Sequence, residues 1–227
     1  MRKNNSMAST LVKPKRGTTK VIKTIIISHS NTKLGKIPSF SLPAITSCPG
    51  RTTWCSNKCY ADKIARIYKN AAKSYEINFN ATRSNKDFVL LMNSELNILS
   101  KKGCNTFRFH VSGDFYDVAY IHDWINIVKS NPAIMFYGYT RTWSIPNMLP
   151  HLEALRCLPN VILFASTDSS TFGNAPIGWR EAYAGNAKLN GKKMITCLEQ
   201  AGKVPTCDKC RLCFNFKSTL NIHFKPH

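Results

Sequence analysis

Seven of the nine cysteines fall into two tight sets, Cys48, Cys55 and Cys59 near the start and Cys197, Cys207, Cys210 and Cys213 near the end. Thiolates at such spacings can converge on one soft metal centre, because the intervening turns let several sulfurs face inward while the backbone wraps the ion. The first set, C-x6-C-x3-C in CPGRTTWCSNKCYA, offers three sulfurs. On a 4Fe-4S cluster that leaves one iron open to a ligand, and on zinc it leaves a water position; a structural zinc knot completed by a further residue is the competing reading. The second set, C-x9-C-x2-C-x2-C, offers four sulfurs and completes a closed tetrahedral or cubane site without outside help. Sulfur spacing alone does not choose between zinc and iron.

Disulfides would need an oxidising compartment. Residues 1–20 carry Arg2, Lys3, Lys13, Lys15, Arg16 and Lys20 and no apolar stretch of signal-peptide length, so the expected compartment is a reducing host cytoplasm. Cys104 and Cys157, set among apolar neighbours, read as buried structural thiols. No apolar run approaches membrane-spanning length, and no membrane partner is expected. The formal charge of +20 is uneven: residues 1–61 hold eleven Lys or Arg and no Asp or Glu. A basic surface of that kind attracts nucleic acid, since phosphate neutralisation releases counterions and needs no particular motif.

A second group of chemistry-bearing residues follows from alternation. A strand over Thr106–Ser112 that continued in register would project Arg108, His110, Ser112 and Asp114 on one face, with Phe107, Phe109 and Val111 on the other. Tyr137, Tyr139 and Arg141 alternate through the next strand, Ile134–Thr140, and Ser166 and Asp168 finish a third, Val161–Ser166. Polar groups at three consecutive strand ends are unusual for parallel strands, which are normally apolar on both faces. They make His110, Asp114, Tyr139, Arg141 and Asp168 candidate catalytic residues, with Ser112, Gly113 and Ser166 in cofactor-contacting positions. The plainer alternative has Asp114 capping the next helix, Arg108 pairing with it, and His110 a satisfied core histidine.

The elements that must position these groups alternate strand and helix. Val21–Ile27 reads as a first strand, and 39–57 as the loop bearing the first cysteines. Ile64, Ile67, Tyr68, Ala71, Ala72 and Tyr75 repeat at three and four, as on one helical face, over 58–83. A helix over 86–102 is capped by Ser84 or Asn85 and stopped by Gly103. Asp117–Lys129 is a helix with Tyr120, Trp124, Ile127 and Val128 inward, and Ser144–Leu155 is a helix candidate with Pro150 in its middle. The pattern is that of an α/β protein with a mostly parallel sheet, of which a complete or partial (β/α) barrel is one form. Three regions are expected: a disordered basic arm over 1–20, an α/β domain over 21–190 and a cysteine-rich metal-binding extension over 191–227.

The segments FSLPAITSCPGRTTWCSNKCYA, FRFHVSGDFYD, FYGYTRTW and CLEQAGKVPTCDKCRLCF resemble, in that order, the gene product 88 family of phages and plasmids. The resemblance implies a mobile-element protein with clustered cysteines. More distantly, the three-cysteine loop and the VSGDFY stretch resemble radical S-adenosylmethionine enzymes, which implies a partial barrel, an open iron-sulfur cluster and S-adenosylmethionine as a ligand. The usual C-x3-C-x2-C of those enzymes would begin at Cys55 and Cys59 and place a third cysteine where this chain has Asp62, so Cys48 supplies the third sulfur.

Two function classes follow: an iron-sulfur enzyme with an open site at the first cysteine set, or a zinc-stabilised nucleic-acid-binding protein serving replication or maintenance of a mobile element. No glycine-rich phosphate loop, H-E-x-x-H site or G-x-S-x-G elbow is present, so common nucleotide hydrolases and hydrolytic triads are unsupported. Deleting residues 2–20 is expected to weaken binding to DNA and RNA and to flatten its dependence on salt; fluorescence anisotropy over a salt series checks this, and unchanged binding makes the arm a solvated tail.

Overall fold

The structure, a computed structural model, describes residues 24–84, 87–186 and 194–226. The basic arm, the start of the strand expected over Val21–Ile27, Asn85 and Lys86 at the expected helix start, and the boundary near residue 190 lie outside the described residues.

Six strands form one sheet: β1 (Thr106–Arg108), β2 (Met135–Thr140), β3 (Val161–Thr167), β4 (Arg180–Ala184), β5 (Met194–Thr196) and β6 (Asn221–Phe224). Their order is β1-β2-β3-β4-β6-β5, and every neighbouring pair is parallel. The mostly parallel sheet expected from the sequence is there; no pairing joins β5 to β1 among the described residues, so these strands form an open sheet and not a complete barrel. The segment 38–42 runs beside β1, with a parallel bridge between Ser39 and Arg108 and the Leu42 N–H donating to the Ser112 carbonyl at 2.9 Å. The chain therefore enters the first cysteine loop at the same end of the sheet where β1, β2 and β3 finish.

Helices α1 (Thr53–Asn57), α2 (Tyr60–Ile67), α3 (Lys69–Ser84), α4 (Phe88–Lys101), α5 (Val118–Ser130), α6 (Leu149–Arg156) and α7 (Cys207–Cys210) complete the fold. Asp117 caps α5 by accepting from the Tyr120 N–H at 2.7 Å. That start angle turns Tyr120, Ile121, Trp124 and Val128 inward onto the sheet. There the Trp124 ring meets Phe40, Phe88, Phe107 and Phe109, mostly edge to face. Strand alternation sends Phe107, Phe136, Leu163 and Ala165 into this helical layer, and Tyr137, Ile162, Phe164 and Ala182 to the opposite face. Leu34, Ile37, Phe214 and Cys197 cover that second face. The cysteine-rich segment is thus one wall of the core.

Several expectations change. Residues 24–27 form no strand; the Asn78 side chain brackets Ile26 instead, accepting from its N–H at 2.7 Å and donating to its carbonyl at 2.9 Å. The single helix over 58–83 is two, broken at Tyr68, whose backbone is extended. The apolar stripe is outward at its start and half-buried further on: Ile67 is 68 % and Tyr68 59 % exposed, Ala71, Ala72 and Tyr75 are half-buried, and Ala61 makes the buried contact of α2. Periodicity marks an apolar stripe without saying that anything covers it. Pro150 sits in the first turn of α6, where a missing N–H costs nothing, because Thr142–Ser144 forms a separate 3-10 turn. Cys157, expected buried, ends α6 exposed, and Cys104 is half-buried with its Sγ donating to the Thr106 carbonyl at 3.2 Å. Among the described residues no helix is long and apolar enough to cross a membrane. Trp124→Ala should cost about 3–5 kcal/mol of stability, read as a lowered denaturant midpoint in equilibrium unfolding.

Candidate metal and ligand site

The site is built at the turn that follows β1. Gly113 takes a positive φ of 79°, and a Cβ there would stand 2.5 Å from the Ser47 hydroxyl and 2.6 Å from Leu42. Only glycine lets the turn and the cysteine loop approach so closely. The turn aims the buried Asp114 carboxylate at the end of β2, where Oδ1 accepts from the Thr140 hydroxyl at 2.6 Å and Oδ2 from the Arg141 N–H at 2.7 Å. Burial nevertheless pushes the Asp114 carboxyl up to about 6, against those hydrogen bonds.

Arg141 carries the connection to the end of β3. Its guanidinium donates to Asp168 Oδ2 at 2.8 Å and to the Thr167 carbonyl at 3.3 Å, in a pair almost closed to solvent. Burial opposes ionisation of Asp168, but hydrogen bonds from Ser170 and Thr52 and the Arg141 charge together hold its carboxyl below the usual range. Thr52 also donates to Asp168 and caps α1 by accepting from the Cys55 N–H at 3.0 Å. Gly50 rests directly on Arg141: a Cβ there would lie 2.2 Å from its carbonyl oxygen. The cysteine loop is therefore fastened to three strand ends, at Ser47, Gly50 and Thr52.

Cys48, Cys55 and Cys59 lie within electrostatic reach of one another in this loop, and Cys48 and Cys55 also sense Asp114. Burial, reinforced by Asp114, pushes the Cys48 thiol up to about 12; burial raises Cys55 too, opposed by the Arg141 charge. Such thiols stay protonated alone and ionise when a thiophilic cation takes the place of the proton. Among the described residues no three His, Cys, Asp or Glu side chains are gathered tightly enough to hold a metal ion as they stand. The donor set is nevertheless of the soft kind that suits iron-sulfur clusters or zinc.

The second cysteine set lies on the face of the sheet that the helical layer leaves free. Cys197, Cys207, Cys210 and Cys213 line one small cavity of about 20 Å³ with Leu212, Phe214 and Ile222. Burial pushes the Cys207 thiol up to about 12, against the Arg108 and Lys33 charges. All nine cysteines are free thiols.

Of the residues singled out by alternation, Asp114, Arg141, Asp168 and Gly113 come together with the three-cysteine loop. Ser112 stands beside them, its buried Oγ without a hydrogen-bond partner among the described residues, and Ser166 enters through its carbonyl, which accepts from the Trp143 indole at 3.0 Å. His110 and Tyr139 do not join them. β1 stops at Arg108, whose guanidinium takes the carbonyls of Phe109 and His110, and the alternation stops with it. His110 turns into the aromatic core, its Nε2 2.8 Å from the Tyr120 hydroxyl and its ring edge-on to Phe115. Tyr139 faces the other way, its ring under Arg108 and packed in the cluster that holds Cys213. Asp114 is neither the cap of α5, which is Asp117, nor the partner of Arg108. Sequence reasoning missed Gly50, Thr52 and Thr140. A hydroxyl three residues before Cys55 was a readable capping signal for Thr52, whereas the roles of Gly50 and Thr140 depend on long-range contacts.

The fold and site define a class: an α/β protein whose parallel strand ends carry a carboxylate–guanidinium network beneath a cysteine loop. Residues 3–216 match the Gene product 88 family, and the chain belongs to it. It is similar to the Gene 88 protein of Mycobacterium phage L5, 27% identical over 217 residues covering 84% of this chain and 88% of the phage protein. The Gene 88 protein of Mycobacterium phage D29 is 26% identical over 220 residues, 86% of this chain and 90% of its own length. No solved structure matches.

His110 gives the site's neighbourhood a pH signature. Burial, aided by the Arg108 charge, lowers its pKa from 6.5 to about 3, so below pH 6.5 the unfolded chain binds a proton that the folded one refuses. Its contribution to stability should fall by about 1.4 kcal/mol per pH unit from pH 6.5 towards 3 and be absent above 6.5. Urea midpoints over that range should show a shallower acid slope in His110→Gln than in the parent.

Proposed function

We propose that this phage-family protein is an iron-sulfur enzyme whose open cluster is held by Cys48, Cys55 and Cys59. The observation that supports the reading is the fastening of this loop, through Ser47, Gly50 and Thr52, above the carboxyl ends of three parallel strands. Ligands of α/β proteins bind at that end of the sheet. Three protein sulfurs leave one iron free, and the radical enzymes that the loop resembles suggest S-adenosylmethionine as its ligand. When bound, the cluster supplies one-electron chemistry and an iron open to donor atoms.

The chain's own residues then act as holders. Asp114 fixes the end of β2 and with it Arg141; Arg141 and Asp168 present a guanidinium and a carboxylate beside the open position; the unpartnered Ser112 hydroxyl is free to bind a polar ligand atom. Tyr60, one residue after Cys59, donates its hydroxyl to the Val111 carbonyl and ties the loop's exit to the turn before Asp114.

A second reading, a zinc-stabilised nucleic-acid-binding protein, draws on the surface of α2 and α3. Exposed Ile67 and Tyr68 stand among exposed Lys63, Lys69 and Lys73, a mixture of ring and cation suited to stacked bases and phosphates.

One preparation separates the two. Protein purified without oxygen from iron-supplemented cells should contain iron with acid-labile sulfide, and Cys55→Ser should lose the fraction held by the open set while remaining folded by circular dichroism. Adding S-adenosylmethionine to the reduced protein should alter its electron paramagnetic resonance spectrum. Stoichiometric zinc without sulfide under those conditions would overturn the enzyme reading.

A further inference from the structure

Arg108 is a buried cation whose partner among the carboxylates is missing. It is 8 % exposed, and among the described residues it forms no ion pair, unlike Arg141 with Asp168. Its Nε donates to the Phe109 carbonyl at 2.7 Å and its Nη2 to that of His110 at 3.2 Å. The guanidinium carbon lies 4.1 Å from the Tyr139 ring centre and 5.3 Å from that of Tyr137. Carbonyl dipoles and ring faces soften the desolvation of a cation without neutralising it. A buried charge of this kind is stable only with an opposite charge nearby.

The Tyr137 ring beneath Arg108 packs on Phe214, with ring centres 5.0 Å apart, and Phe214 lines the cavity of the second cysteine set. Tyr139, the other ring under Arg108, belongs to the same cluster as Cys207 and Cys213. Cys207 and Cys213 share their cavity of about 20 Å³ with Cys197 and Cys210, and that volume suits a single ion rather than a cubane.

We propose that Cys197, Cys207, Cys210 and Cys213 form a closed four-thiolate site for one thiophilic divalent ion, and that Arg108 is the fixed counter-charge of that site. Binding turns the four thiols inward and releases four protons to solvent, and a divalent ion with four thiolates leaves a net charge of −2. Arg108 neutralises one unit from the sheet side; Lys33, which also reaches Cys207, is already paired with Glu199 at 3.2 Å. The site is distinct from the open cluster: it is formed by other sulfurs, in a wall of the core and not over the strand ends.

The test uses the full chain with Cys48, Cys55 and Cys59 all changed to Ser, so that its failure cannot be confused with failure of the open-cluster reading. Cobalt(II) titration should give one equivalent with thiolate-to-metal absorption and tetrahedral d–d bands, and zinc should displace it. Cys210→Ser in that background should weaken binding at least about tenfold, and Arg108→Met by about 10–100-fold, the usual effect of losing a group that supports metal ligands. Arg108→Lys should recover part of the loss, because it keeps the charge. Absence of cobalt–thiolate absorption, an iron-sulfur spectrum on these four cysteines, or Arg108→Met binding cobalt as tightly as its parent overturns the proposal. If Arg108→Met fails to fold, Cys210→Ser decides: unchanged cobalt affinity overturns the site.

Discussion

The buried carboxylate of Asp114 is the constraint on which the site depends. It collects the Thr140 hydroxyl and the N–H groups of Phe115 and Arg141, and so locks the end of β1 to the end of β2. From that joint a single polar chain runs through the Arg141 guanidinium, the Asp168 carboxylate and the Thr52 hydroxyl to the amide of Cys55. Each member satisfies the next, as a buried polar network must if it is to specify one arrangement. The cysteine loop has only one short helix of its own, so its position is borrowed from this chain of bonds.

The alternation of polar residues at successive strand ends was legible because parallel strands are rarely polar, and it led to Asp114, Arg141 and Asp168. The same rule failed at His110, since it assumes that a strand continues until its sequence pattern ends. Here Arg108 bonds to the two carbonyls that follow it, and the chain leaves the ladder early. Strands β4, β5 and β6 are three to five residues long and owe their existence to pairing with one another, which no local pattern announces. The α2 stripe shows the converse: the periodicity is real and the helix forms, yet the aromatic core was filled by α4 and α5.

The two cysteine sets, alike on paper, occupy different environments. One stands over strand ends beside a carboxylate and a guanidinium, where a ligand could approach. The other is a wall of the core, closed by Phe214 and Ile222 and backed by Tyr137 and Tyr139. Arg108 separates them, its side chain committed to the second.

The strand order constrains how the far edge of the sheet is completed. β6 lies between β4 and β5, so β5 joins the sheet only through β6, once the chain beyond it has returned. Cys197 follows β5 directly, and Cys207, Cys210 and Cys213 all lie on the returning stretch, so the four sulfurs are delivered in the same step that completes the sheet. Until then the edge of β4 is bare, an open row of backbone donors and acceptors on which another molecule's strand could settle. Closure of a parallel pair across so long a loop is slow. The interval before it is when the nascent molecule is most exposed to aggregation and to oxidation of its unburied thiols.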